Sequence, residues 1–174
     1  MDVHVRPMHR DEGALLDAVF AGLSAQSRYL RFHSPVRQLT GTTRRALLDI
    51  DGRDHVALVA ESGRGDPIGL ARIIRDVDRR DEAEVAFEVV DTWQGRGVGR
   101  LLLTAIAERA AQVGISRVRA LVLTENTAAF ALLRAVFPRY LTRHDGAVTE
   151  LVGLLAGSDR WEITMDDILA DLAA

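Results

Sequence analysis

The chain has 174 residues, 48% of them hydrophobic and 27% charged, which suits one globular domain with a sizeable core and leaves no case for two. A formal net charge of -3 gives no general attraction to nucleic acid or to an acidic membrane, although all 22 basic residues are arginine. Without cysteine there are no disulfides, thiolate metal sites or cysteine nucleophiles, and His4, His9, His33, His55 and His144 show no paired ligand spacing, so no metal is expected.

The first residues, MDVHVRPMHRDEG, hold no apolar leader core, and no apolar run approaches the roughly 18 residues of a membrane span. A cytoplasmic protein with no membrane partner is expected. Val3 to Arg6 predicts a short strand, followed by a helix with apolar positions at Leu15, Leu16, Val19, Phe20 and Leu23. Residues 24–51 predict loop and helix, with Thr42 or Thr43 capping a helix through Leu48. DHVALVAE and DPIGLARIIRD predict two strands about the turn SGRGDP. The turn from Arg79 to Asp81 feeds a strand with Val85, Phe87 and Val89 in alternation, which breaks at Asp91-Thr92-Trp93.

After three glycines a helical period takes over at Leu102, Ile106, Ala110 and Val113, and Gly114 ends it. SRVRALVLTEN predicts a fifth strand. Asn126 is placed to cap the next helix, TAAFALLRAVF, which Pro138 ends. RYLTRH and AVTELVGLL, joined by Asp145-Gly146, predict a closing hairpin. The domain is expected to span residues 1–156. In the tail, 157–174, Met165, Ile168, Leu169 and Leu172 fall at amphipathic spacing behind Thr164, which predicts a helix. Such a stripe is buried on its own domain, in a homodimer or against a partner.

Between the fourth strand and its following helix stands QGRGVGR. A P-loop needs Lys-Ser/Thr after its last glycine, where Arg100-Leu101 stand, and a dinucleotide fingerprint needs glycine in place of Arg100. What remains is Q-x-x-G-x-G, met by Gln94, Gly97 and Gly99. A helix N-terminus offers unpaired N–H groups and a partial positive charge, a ready site for phosphate. Arg96 and Arg100 sit at the unfavourable end of that dipole, and a bound anion reverses the sign of their contribution.

On these residues the chain resembles the GNAT superfamily of acetyl-CoA-dependent N-acyltransferases, from about Val3 to Leu155. SRYLRFHSP, AEVAFEVVDTWQGRGVG and the Glu125-Asn126 pair resemble more closely the catalytic domain of bacterial Pat-type protein lysine acetyltransferases. The resemblance implies a single α/β (α+β) domain whose central, mixed, mostly antiparallel sheet is flanked by helices and splayed between its fourth and fifth strands. It implies acetyl-CoA as co-substrate, its pyrophosphate on the backbone of Gln94, Gly95, Arg96, Gly97, Val98, Gly99 and Arg100. Its pantetheine would meet Val89, Val90 and Asn126, with N–H groups near Glu88 and Val89 facing an oxyanion.

Glu84 matches the family's general base, which an amine of pKa ~10.4 requires at neutral pH. Strand periodicity places Glu84, Ala86 and Glu88 on one face, so both carboxylates can line the cleft as catalytic candidates. The tyrosine that many members place seven residues after the asparagine is here Leu133, and Val136 replaces a customary glycine. Tyr140 or His144 could substitute, so the general acid is unassigned. The favoured reading is direct acetyl transfer to a primary amine in a ternary complex, with a protein lysine as acceptor. The alternatives are a small amine such as a polyamine, amino acid or aminoglycoside, and a non-catalytic CoA-binding sensor. Absence of lysine fits an enzyme that cannot modify itself, and equally a codon bias.

Overall fold

Apolar residues alternating along seven strands assemble one sheet in the order β1-β2-β3-β4-β5-β7-β6. The strands of this computed structural model, which describes residues 2–155, are β1 (Val3–Pro7), β2 (His55–Ser62), β3 (Pro67–Arg75), β4 (Glu82–Val89), β5 (Arg117–Leu123), β6 (Tyr140–Asp145) and β7 (Val148–Leu154). Every pairing is antiparallel except β4 with β5. The expected tail helix lies outside the described residues.

Among the described residues five α-helices cover the sheet: α1 (Gly13–Ala21), α2 (Ala25–Phe32), α3 (Gly41–Leu48), α4 (Val98–Gln112) and α5 (Thr127–Val136). On one face Leu102, Leu103 and Ile106 of α4, with Leu133 of α5, pack on Ala71, Ile73 and Val85. Each of these large side chains is fully buried, worth about 1.5–3 kcal/mol apiece in transfer free energy. On the other face Met8, Leu16 and Val19 meet Ala57, Val59 and Leu70.

Residues 24–51 differ in detail from the expectation. Two helices form, and the second starts from Thr40, whose Oγ1 accepts from the Thr43 amide at 3.1 Å, rather than from Thr42 or Thr43. Thr40 has the extended backbone that a cap requires, whereas Thr42 and Thr43 are already inside the helix. The first, α2, is capped by Ser24, whose Oγ accepts from the Ser27 amide. It contains no buried residue, and its apolar Leu30 and Phe32 face a cavity between β4 and β5.

The feature that positions the site is the short parallel ladder. β4 pairs with β5 only from Glu82 to Glu84, opposite Arg117 to Arg119. β3 holds β4 through Val89, and β7 holds β5 through Leu123, so beyond Glu84 the two strands separate while each stays anchored on its far side.

Candidate active site in the cleft between β4 and β5

The separation opens a cavity of about 780 Å³ lined by β4 from Glu84 to Val89 and by Ala120, Leu121 and Val122 of β5. Val85, Phe87 and Val89 come from the face packed on α4 and α5, whereas Glu84 and Glu88 come from the other. The cavity therefore passes through the sheet, and two reactants can meet in it from opposite faces. Ser27, Leu30, Arg31, Phe32 and His33 of the α2 region form one wall.

At one end lies the glycine turn. α4 begins at Val98 with Gly97 as its cap residue and no side-chain cap, and its first turn holds no acidic residue. Among the described residues, no backbone amide from Gly95 to Arg100 donates to a protein acceptor; the first helical bond is from Leu101 to the Gly97 carbonyl. Gly95 and Gly97 have φ of +69° and +85°, a region that disfavours side chains, and Gly99 packs against Leu132. Gly95, Gly97 and Gly99 all line the cavity. A run of unsatisfied amides at a helix N-terminus, with Arg96 and Arg100 exposed beside it, is chemically fitted to a pyrophosphate.

The side chain of Gln94 braces this turn. Its Nε2 donates to the Val89 carbonyl at 3.0 Å and lies 3.2 Å from Ser27 Oγ and 3.3 Å from Asp91 Oδ1. Burial opposes ionisation of Asp91, but bonds from the Ser24 and Ser27 hydroxyls outweigh it and hold the carboxyl below its usual range. Turn, β4 and α2 are thus tied by one polar network.

The two carboxylates of β4 have different surroundings. Glu84 is exposed and, among the described residues, has no ion pair or side-chain hydrogen bond. Glu88 is buried, with Arg31 Nε at 2.6 Å from one oxygen and Arg72 Nη2 at 3.7 Å from the other. The two candidates thus differ in surroundings: both line the cavity, Glu84 unpaired among the described residues and Glu88 paired in its wall.

A family model for the acetyltransferase (GNAT) family matches residues 18–137. The chain belongs to the GNAT family. It is 41% identical over 106 residues to the acetyltransferase Pat of Mycolicibacterium smegmatis, covering 60% of this chain and 32% of that protein, so it spans about a third of the relative's length. The GNAT domain of S. lividans PAT superimposes with a TM-score of 0.80 at 32% identity, covering 88% of this chain and 90% of that one. A spermidine N-acetyltransferase from Vibrio cholerae, solved with CoA and spermine, has a TM-score of 0.69 at 16% identity over 89% and 96% of the two chains, a likeness of fold.

Within the GNAT domain, Asn126 caps α5 through Oδ1, which accepts from the Ala129 amide at 3.1 Å. It also lines the cavity, and among the described residues its side-chain amide nitrogen has no hydrogen-bond partner. Val89 lines the cavity, but Val90 does not: its amide donates to the Ile68 carbonyl and its carbonyl accepts from Trp93. Val98 is buried in the core, and only its backbone faces the turn.

Leu133 is wholly buried, and neither Tyr140 nor His144 lines the cleft. Arg134 lies over the Tyr140 ring, and His144 Nδ1 is 2.7 Å from Thr149 Oγ1. Arg72 was not among the sequence candidates. Its signal is an arginine inside the apolar strand GLARIIR, where a charge must find a buried partner.

Proposed function

We propose that this chain is an acetyl-CoA-dependent N-acetyltransferase whose acceptor is a lysine side chain on a protein. The observation that carries the reading is the splayed cleft itself, which joins the amides of Gly95 to Arg100 at one end to the carboxylate of Glu84 at the other, both without partners among the described residues. The likeness to Pat supports a protein lysine over a small amine.

In this reading the amides of the turn hold pyrophosphate, Asn126 and the edge of β4 align the pantetheine, and the acetyl group lies near Glu88. Glu84 takes one proton from the incoming ammonium, directly or through water, which frees the nitrogen lone pair. That pair attacks the thioester carbon; the C–N bond forms and the C–S bond breaks. A second proton from nitrogen goes to the departing sulfur or to solvent, and the third stays in the amide. A thiol of pKa ~8.5 leaves without strong acid assistance, which accords with a cleft that has no tyrosine among its lining residues.

The test is thiol release from acetyl-CoA against a panel of lysine-bearing proteins and a panel of small amines. Release with proteins is expected. Release confined to small amines would move the assignment to metabolite acetylation, and tight CoA binding without any release would favour a sensor.

A further inference from the structure

Arg72, in the middle of β3, is 1% exposed and makes one good hydrogen bond, from Nη1 to the Leu47 carbonyl at 2.8 Å. Its Nε and Nη2 are buried without a hydrogen-bond partner. Glu88 is the carboxylate beside it, and Glu88 is already engaged by Arg31 at 2.6 Å. The trio therefore carries two positive charges against one negative, in a setting from which water is largely excluded. Burial, the main cause, depresses the Arg72 pKa, and Arg31 adds to this; Glu88 acts in the opposite direction.

A buried surplus cation is costly unless something compensates it. α3 closes one side through Leu47, and the sheet closes another. The open side is the cavity, which both Arg31 and Glu88 line. Arg72 pairs in register with Ala86, and Ala86 is also a lining residue, so its guanidinium stands one strand behind the cavity edge.

We propose that Arg31, bonded to Glu88, and Arg72, held beside it by the Leu47 carbonyl, form a preorganised positive cluster that polarises the carbonyl of an acyl donor lying along β4 and stabilises the negative charge that develops on its oxygen. Arg72 is thus a positioning residue acting through the trio. It supplies field without touching the substrate. A dipole or charge fixed before the reaction stabilises developing charge without reorganisation. The inference rests on the acetyl-CoA reading.

The experiment is isotope-edited infrared spectroscopy of carbonyl-labelled acetyl-CoA bound to the full chain, with the affinity measured alongside by calorimetry. The variants form a charge series: Glu88→Gln raises the trio by one charge, and Arg72→Gln or Arg31→Gln lowers it by one. The bound carbonyl stretch should lie below its value in water for wild type, lower still in Glu88→Gln, and return toward the water value in the two arginine variants. Arg72→Lys should retain most of the wild-type shift. In turnover, the arginine variants should lose about tenfold or more in kcat with KM for acetyl-CoA within about twofold.

Arg31 is partly exposed, so Arg31→Gln keeps the test open if Arg72→Gln does not fold. A stretch that is the same across folded, binding-competent variants would overturn the inference while leaving the acetyltransferase reading intact. Failure of the wild type to bind acetyl-CoA would remove both.

Discussion

Glu84 of β4 and Arg119 of β5 face each other across the last rung of the parallel ladder, and the sheet opens immediately beyond them. The Arg119 guanidinium lies 3.6–3.8 Å from carboxylate oxygens of Asp76, Glu82 and Glu150, and Glu84 is not among its ion pairs. The hinge of the cleft thus neutralises its buried acid and leaves the candidate base free.

Arg119→Met should destabilise the fold by about 1–3 kcal/mol, because buried Glu82 keeps only the 3.6 Å contact to Arg79 and the remaining carboxylates repel one another. Chemical denaturation measures this, and recovery with Glu82→Gln in the same chain would identify Glu82 as the cause.

Gly97 has open space at its Cβ position, so Gly97→Ala creates no clash within the protein. Its φ of +85° costs an alanine about 1–2 kcal/mol. The new methyl group also stands where phosphate approaches. Affinity for acetyl-CoA should fall about tenfold or more, whereas acetyl-pantetheine, which lacks the pyrophosphate, should bind almost unchanged. Calorimetry with both ligands distinguishes lost phosphate recognition from a general loosening.

Asn126 has separable duties. Asn126→Ala removes the α5 cap and should cost about 1 kcal/mol, while Asn126→Asp keeps the accepting oxygen and should hold that stability. If the side-chain amide nitrogen serves pantetheine, both variants lose affinity for acetyl-CoA. Equal affinity in the wild type and Asn126→Asp would leave Asn126 as a cap alone.

Burial, and then the charge of Arg72, push the His55 pKa down. The folded state therefore keeps His55 neutral, and the unfolded chain takes up its proton first, below about 6.5. The stabilisation is complete above that value and is lost as pH falls from it toward the depressed folded value. Glu12, held low chiefly by the Arg6 hydrogen bond, and Asp91 weaken the fold only below about 4.5. Urea denaturation between pH 7.5 and 5 should show stability falling in wild type and a flatter profile in His55→Gln.

The sheet, the α4 and α5 helices and the glycine turn were legible because apolar alternation, helical period and glycine spacing are local patterns. The same alternation puts Glu84 and Glu88 on one face, and both line the cavity; the choice of Glu84 as base comes from the resemblance. α2 was not legible, since none of its residues is buried and it is held to the domain by Gln94 and by the Arg31 to Glu88 pair, contacts made with a distant turn and strand. Arg72 and Glu88 stand 16 positions apart, and only the β3–β4 register brings them together. The resemblance alone puts Val90 with Val89, and the Val90 side chain and backbone face away from the cavity that Val89 lines.

The most direct measurement is single-turnover acetyl transfer to a lysine-bearing protein at saturating acetyl-CoA, comparing wild type with Glu84→Gln. Glu84 is exposed and unpaired, so the variant should fold within about 0.5 kcal/mol of wild type and bind acetyl-CoA within about twofold. Transfer should slow by about 10²–10⁴-fold. Transfer at the wild-type rate from a folded, acetyl-CoA-bound Glu84→Gln would contradict the assignment of Glu84 as the base.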